Sequence, residues 1–167
     1  MPTLKGGYHL ADGTRVPGVT TVLGRFKDSG ALIRWAYNCG RDGIDKDAAK
    51  ERAANAGTLA HQWIDDHIHG RDLAESTLDE AQTRQARNAF NQFLVWRERY
   101  DLRILETEVP LVSEIYRFGG TFDAVTVDGK PAILDWKTSN AIYSDYLVQC
   151  AAYALLWEER RGQPIDD

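Results

Sequence analysis

Two aspartates and a lysine are the candidate reactive residues of this sequence. Asp123 lies in the extended run that begins at Gly119-Gly120, and Asp135 and Lys137 follow a short apolar run after an Asp-Gly turn. Two carboxylates that lie side by side are costly unless a cation neutralises them. A hard divalent cation such as Mg²⁺ or Mn²⁺ prefers such oxygen ligands. The pattern therefore indicates a divalent metal site, provided that a hairpin brings the two aspartates together.

The spacing of Asp135 and Lys137 adds a second chemical group. Residues two apart in a strand project from the same face, so an ammonium group would lie next to the carboxylate. Such a group can orient a water molecule, help it to lose a proton, or stabilise charge on a reacting phosphate. An isolated Asp-x-Lys pair is more often a surface ion pair on a strand, so the spacing alone leaves both interpretations open.

Hydrophobic periodicity and turn signals predict the helices and strands that carry these residues. The order of helices, then three strands, then a helix predicts an α/β fold. Thr77-Leu78-Asp79-Glu80 has the pattern of a capping box at the start of a helix. We expect an N-terminal β-hairpin around Asp12-Gly13, helices over 20–38, 46–69 and 78–100, strands over 104–112, 120–127 and 132–136, and a last helix over 143–161.

Composition bounds the class of protein. The 167 residues fit one ordinary domain, so we expect a single domain over 1–167. With 43% hydrophobic and 27% charged residues, the chain has the balance of a globular protein. No apolar run approaches the roughly 20 residues that cross a bilayer, and no signal peptide is evident, so we expect a cytoplasmic protein without a membrane. Cys39 and Cys150 are too few for an iron–sulfur cluster, and none is expected.

The charge is unevenly distributed along the chain. The net charge of −5 argues against phosphate binding by the molecule as a whole, yet residues 1–60 carry nine basic against six acidic side chains. This basic part could contact a nucleic-acid backbone while the acidic part holds a metal. Ordinary solvated charge is the alternative for any one of these residues. The predicted DNA contacts are Arg15, Arg25, Lys27 and Arg34.

Taken together, these motifs resemble a known family. The Gly-Gly-Thr-Phe-Asp run ending at Asp123, the Ile-Leu-Asp-Trp-Lys-Thr-Ser run around Lys137, and Gln149 with Tyr153 are similar to the RecB-type branch of the PD-(D/E)XK nuclease superfamily, close to the small exonucleases of phages. Phe122 stands where the superfamily name has proline. The resemblance spans roughly residues 16–160 and implies a restriction-endonuclease-like core, in which helices flank a central mixed β-sheet.

The resemblance also implies a reaction and roles for individual residues. Members of this branch hydrolyse DNA phosphodiester bonds with a water activated by Mg²⁺ or Mn²⁺. Its catalytic residues correspond to Asp123, Asp135 and Lys137. Its metal ligands correspond to the two aspartates, the backbone carbonyl of Trp136, and His61 in the run Gly-Thr-Leu-Ala-His.

Three further residues have weaker counterparts in the family. A glutamate precedes the first aspartate, and Glu108 fits this position by spacing, although Glu106 lies on the same predicted strand face. The Gln-x-x-x-Tyr pair of the last helix corresponds to Gln149 and Tyr153. Both could face the site, although a helical tyrosine is very often part of a core.

Several alternatives stay open at this stage. An endonuclease with site or structure specificity would use the same residues, and a catalytically inactive nuclease fold could serve as a DNA-binding or assembly module. Relatives usually continue with further strands after the Gln-x-x-x-Tyr helix, so the resemblance leaves three alternatives for the sheet: it is short, it is completed by another chain, or it belongs to a longer protein. DNA is the expected substrate in a bacterial or phage-infected cell. A recombination or replication partner and an oligomer are compatible with the resemblance.

Overall fold

The computed structural model describes residues 6–26, 30–100, 103–128, 130–139 and 141–165. Contacts between residues group the chain into two compact units, one of Met1–Phe26 with Arg99–Asp167 and one of Lys27–Glu98. The expectation of a single domain stays a prediction. In chain order the elements are β1 (Tyr8–His9), β2 (Arg15–Val16), α1 (Val19–Gly24), α2 (Gly30–Arg41), α3 (Lys46–Ile68), α4 (Glu80–Arg99), β3 (Arg103–Ser113), β4 (Phe118–Asp128), β5 (Lys130–Leu134) and α5 (Ser144–Arg161).

The predicted α/β class is confirmed. Strands β3, β4 and β5 form an antiparallel sheet in that order, and α5 returns to pack on it. The sheet was expected to be mixed. In the described part of the chain, its parallel component is a single bridge between Gly18 and Gly119. The predicted N-terminal hairpin is also confirmed, because β1 and β2 pair antiparallel around the Asp-Gly turn.

The apolar residues of the sheet and α5 make one core. Phe122 is fully buried, and its ring meets the ring of Trp157 on α5 edge to face at 6.1 Å between centroids. Burial of this apolar area is the main term that holds the helix on the sheet. The buried members of this core are Val19, Val109, Leu111, Phe122, Val125, Tyr153, Leu156 and Trp157.

The Gly119-Gly120 pair lets two aromatic rings lie directly on β4. A Cβ on Gly119 would lie 2.3 Å from Cγ of Tyr8, and a Cβ on Gly120 would lie 2.6 Å from Cε1 of Tyr153. Both distances are far inside van der Waals contact, so any side chain would displace a ring. The two glycines therefore allow Tyr8 and Tyr153 to reach the strand that carries Asp123.

Three sequence predictions need correction. A single helix over 20–38 is wrong, because α1 ends at Gly24 and α2 begins at Gly30. The N–H of Arg25 donates to the carbonyl of Val22, which closes α1 with a tight turn. The third strand ends at Leu134, two residues before the predicted position.

The predicted capping box at Thr77 is the third correction. The helix α4 begins at Glu80, and the carboxylate of Asp79 accepts a hydrogen bond of 2.8 Å from the N–H of Gln82. Aspartate and threonine are both good N-cap residues, and here the aspartate stands immediately before the first helical turn. Asp79, not Thr77, therefore caps α4.

The unit of residues 27–98 is helical and has its own buried polar anchor. Asp66 on α3 is 4% exposed and accepts hydrogen bonds from Gln62, from the guanidinium of Arg71 and from the N–H of Ala74. These bonds fix the chain that follows α3, where Gly70 adopts a φ of +65°. Burial raises the pKa of Asp66, but the hydrogen bonds outweigh it and the pKa is lowered.

Glu159 on α5 fixes the turn between β3 and β4. Its carboxylate accepts a 2.5 Å bond from the hydroxyl of Ser113 and bonds from the N–H groups of Glu114 and Ile115. Burial raises the pKa of Glu159, but these three donors outweigh it, so the pKa lies below its ordinary value of 4.5. The ionised carboxylate therefore stabilises the fold.

We predict that Glu159→Gln lowers the free energy of unfolding by about 1.5–3 kcal/mol at neutral pH, the range for hydrogen bonds to a charged group. Because the folded-state pKa is below 4.5, this stabilisation is complete above pH 4.5 and is lost as pH falls through the folded-state pKa. Urea unfolding of both proteins between pH 7 and pH 3 measures it. A difference that stays constant over this range would contradict the prediction.

Candidate metal centre and active site

The register of β3 and β4 brings the first two acids together. Val109 pairs with Phe122, so the preceding residue Glu108 lies opposite Asp123. Carboxylate oxygens of Glu108 and Asp123 lie within 4.8 Å of each other. Glu108 also has a φ of +50°, which non-glycine residues rarely adopt. Backbone strain of this kind concentrates at functional sites.

The hairpin of β4 and β5 adds Asp135. Its ladder ends at the pair Ala124 and Leu134, so Asp123 and Asp135 are the next residues on the two chains. The N–H of Trp136 donates a 2.5 Å hydrogen bond to Oδ2 of Asp123, which ties the segment after β5 to the strand β4. The sequence left this proximity conditional on the turn, and the structure brings the two aspartates together.

Lys137 lies beside Asp135 although the strand has ended before both residues. The ammonium group forms an ion pair with a carboxylate oxygen of Asp135, whose side chain is 1% exposed. The ammonium nitrogen also lies 5.0 Å from the centre of the Tyr146 ring, over its face. The sequence predicted that Asp135 and Lys137 lie side by side on one face of a strand. The two side chains are in contact, but the segment that carries them is irregular.

Gln149 and Tyr153 extend the site on α5. Both side chains are buried, and the amide nitrogen of Gln149 donates a 2.7 Å hydrogen bond to the hydroxyl oxygen of Tyr153. Burial raises the pKa of Tyr153 well above its ordinary value of 10.0, and the bond from Gln149 offsets this only in part. The tyrosine hydroxyl is therefore neutral at physiological pH and can act only as a neutral polar group.

A cavity of about 690 Å³ opens beside Lys137, Gln149 and Tyr153. This volume lies in the range of small-molecule and nucleotide sites. The opposite wall comes from the N-terminal hairpin and the start of α1, and the hydroxyl groups of Tyr8 and Thr121 are 3.0 Å apart. Other lining residues are Gly7, Arg15, Val16, Pro17, Gly18, Val19, Thr20, Thr21 and Gly120.

The remaining predicted site residues are scattered along the chain. Arg15 is exposed on β2 and lines the cavity, and Arg25 is exposed just after α1. Arg34 is exposed on α2, and His61 is half-buried on α3, both in the unit of residues 27–98. Lys27 lies outside the described residues. The roles of these residues in metal or DNA binding stay predictions.

Sequence reasoning missed Tyr146 and Tyr8. Tyr146 precedes Gln149 by three residues and Tyr153 by seven, a spacing that places all three on one face of a helix. That periodicity could have identified Tyr146. Tyr8 had no comparable signal, because its contact with β4 joins segments more than 100 residues apart.

The donor set of this site fits a hard divalent cation. Asp123 is 3% exposed, it lies next to Glu108, and Asp135 follows it across the hairpin. Buried carboxylates in such a group repel one another and lose solvation, which a cation with oxygen ligands compensates. Mg²⁺ and Mn²⁺ both prefer carboxylate, carbonyl and water ligands.

Comparison with known proteins gives one family. A family model for the PD-(D/E)XK nuclease superfamily matches residues 31–166, more than three quarters of the chain. A search of curated proteins finds no significant match. Within the described residues, no helix is long and apolar enough to cross a membrane. The matched region includes Glu108, Asp123, Asp135 and Lys137.

Proposed function

Because this chain belongs to the PD-(D/E)XK nuclease superfamily, we propose that it is a deoxyribonuclease of the RecB-type branch that uses Mg²⁺ or Mn²⁺ and degrades DNA from an end. Members of the superfamily are generally nucleases that hydrolyse phosphodiester bonds with divalent metals. The observation that carries the proposal is the line of acids Glu108, Asp123 and Asp135 with the ammonium group of Lys137 beside it.

The proposed metal ligands are the carboxylates of Asp123, Asp135 and Glu108. The carbonyl of Trp136 and the imidazole of His61 are added from the family resemblance. A divalent cation held there would lower the pKa of a water molecule and neutralise charge on the phosphate. An imidazole among oxygen ligands would bias the preference toward Mn²⁺.

Lys137 is the proposed catalytic cation. Its ammonium group has three donors, and one side of it faces the buried carboxylate of Asp135. The remaining donors can orient the attacking water and stabilise negative charge on the phosphate oxygens as that charge grows. Gln149 and Tyr153 contribute a neutral polar wall, because burial keeps the Tyr153 hydroxyl protonated.

The choice between exonuclease and endonuclease is tested with DNA that lacks ends. Purified protein is incubated with end-labelled linear DNA and with closed circular DNA, single- and double-stranded, in Mg²⁺, Mn²⁺ or chelator. An exonuclease degrades only the linear substrates, and only with metal. Cleavage of the circles would replace this proposal with an endonuclease of the same fold. No cleavage of any substrate would favour an inactive DNA-binding or assembly module.

Arg15 is the predicted phosphate contact with the clearest structural support. It lines the cavity beside Lys137, and Gly7 leaves room for its side chain, because a Cβ there would lie 3.1 Å from the Arg15 Nε. Gly7 has a φ of +81°, which also favours glycine. The guanidinium group thus lies at the cavity wall, where it can form two parallel bonds to a phosphate.

We predict that Arg15→Gln weakens DNA binding in chelator about equally for all sequences. The slope of log affinity against log salt should fall by about 0.7–0.9, the value for one lost phosphate contact. Arg160→Gln is the matched control, because Arg160 is exposed on α5 and does not line the cavity. Equal salt slopes for Arg15→Gln and the wild type would show that Arg15 does not contact phosphate.

A further inference from the structure

Tyr146 is an aromatic residue whose ring contacts the ammonium group of Lys137. The ammonium nitrogen stands over the ring face at 5.0 Å, within the range of a cation–π interaction. Tyr146 is half-buried near the start of α5. Its own ring meets the Tyr143 ring edge to face, with centroids 5.6 Å apart and planes at 84°. The ring under Lys137 is therefore itself held in orientation.

A lysine needs more than one contact to keep a fixed position. Its side chain has four rotatable bonds and loses much rotamer entropy when ordered. The ion pair with Asp135 is the first contact, but the carboxylate of Asp135 is also a proposed metal ligand. A cation on that carboxylate would repel the ammonium group of Lys137.

An aromatic face provides a contact that does not compete for those oxygens. The attraction arises from the ring quadrupole, so it leaves the carboxylate oxygens available to other ligands. It also acts from the helix that carries Gln149 and Tyr153, because residues 146, 149 and 153 share one helical face. The helix α5 thereby positions the Lys137 ammonium group as well as Gln149 and Tyr153.

We propose that Tyr146 is a positioning residue that orients the Lys137 ammonium group through the face of its ring. This proposal rests on the proposed function, because it assumes that Lys137 takes part in cleavage. The ring is the active part of Tyr146, and its hydroxyl is dispensable. Tyr146→Phe should keep the function, and Tyr146→Leu should lose it while retaining an apolar side chain on α5.

The kinetic test compares these two variants on linear DNA with metal. We expect Tyr146→Leu to lower kcat by about 3- to 30-fold with KM within about twofold, the range of a cation–π contact. Tyr146→Phe should stay within about twofold of the wild type in both parameters. Tyr116→Leu is the matched control, since Tyr116 is 60% exposed in the β3–β4 turn, and it should leave kcat unchanged. Equal losses in Tyr146→Phe and Tyr146→Leu, or no loss in Tyr146→Leu, would overturn the proposal.

A second readout needs neither metal nor cleavage. Aromatic rings shift the NMR signals of protons above their faces upfield. The Lys137 Cε protons, assigned by their disappearance in Lys137→Arg, should be shifted upfield in the wild type and in Tyr146→Phe, and should return toward ordinary lysine values in Tyr146→Leu. Unshifted Lys137 signals in the wild type would overturn the positioning role even if DNA is cleaved. Shifted signals in a protein that cleaves nothing would keep the contact and refute the proposed function instead.

Discussion

Replacing Asp123 with asparagine should reduce kcat for metal-dependent DNA cleavage by about 10³-fold or more, because it removes several kcal/mol of charge stabilisation by the cation. Asp123 lies opposite Glu108 on β3 and next to Asp135 across the β4–β5 hairpin. It is therefore the central carboxylate of the three proposed metal ligands. The loss should exceed that of any other single exchange among the proposed ligands. Steady-state cleavage of end-labelled linear DNA in saturating Mg²⁺ or Mn²⁺ measures it.

The asparagine variant also separates chemistry from folding. Asparagine has nearly the same shape and retains an oxygen that can accept the N–H of Trp136, so the thermal unfolding midpoint should change little. Asp72→Asn is the control, because Asp72 is exposed in the unit of residues 27–98. Cleavage by Asp123→Asn at more than about a tenth of the wild-type rate would remove Asp123 from the metal site.

Lys137→Met should lower kcat by about 10²- to 10⁴-fold, the range for a positioned acid–base or electrostatic group. Methionine keeps an unbranched apolar stem and removes the ammonium group that pairs with Asp135. Since Lys137 is not a proposed metal ligand, the affinity for Mn²⁺ should not fall. The measurements are single-turnover cleavage and metal titration of the same preparation.

The lysine variant fails differently from the aspartate variant if the assignment is correct. Asp123→Asn should lose both metal binding and cleavage, whereas Lys137→Met should lose cleavage alone. Arg160→Met, an exposed cation on the same helix as Gln149, serves as the charge control. If Lys137→Met binds metal poorly, Lys137 has a structural role in the metal site and the proposed catalytic role is wrong.

The sheet and its acids were predictable because local signals agree there. Asp128-Gly129 in the sequence favours a hairpin, and the observed register of β4 with β5 makes Asp123 and Asp135 the next residues beyond the last pair, Ala124 and Leu134. The end of β5 was not predictable. Asp135 leaves the strand, and Trp136 turns its N–H to the Asp123 side chain, which is a contact that no periodicity reports.

The ends of the helices were harder to predict from the sequence, because several neighbouring residues are able to begin or end a helix. A continuous helix was predicted over 20–38 from its spacing and composition, but α1 ends at Gly24 and α2 begins at Gly30, and glycine is a poor helix former. Thr77 and Asp79 are both competent N-caps, and only the backbone path selects Asp79. Such choices depend on packing energy that exceeds the small differences in local propensity.

The parts of the site that the sequence did not predict are formed by segments that lie far apart in the chain. The positive φ of Glu108 belongs to a strand residue, and nothing in the local sequence calls for it. Tyr8 reaches β4 only because Gly119 has no side chain, although the two are more than 100 residues apart. The family resemblance supplied His61 from the sequence, and its role as a ligand is a proposal that mutation must test.

Titration of the metal-free protein with Mn²⁺, followed by electron paramagnetic resonance, measures whether the acids of the sheet bind a metal, because free Mn²⁺ gives a sharp signal that is lost on binding. The wild type should remove this signal at stoichiometric protein, and Lys137→Met should do the same. Asp123→Asn should leave most of the signal in solution under the same conditions. Equal Mn²⁺ binding by the wild type and Asp123→Asn would contradict a metal centre built on the acids of this sheet.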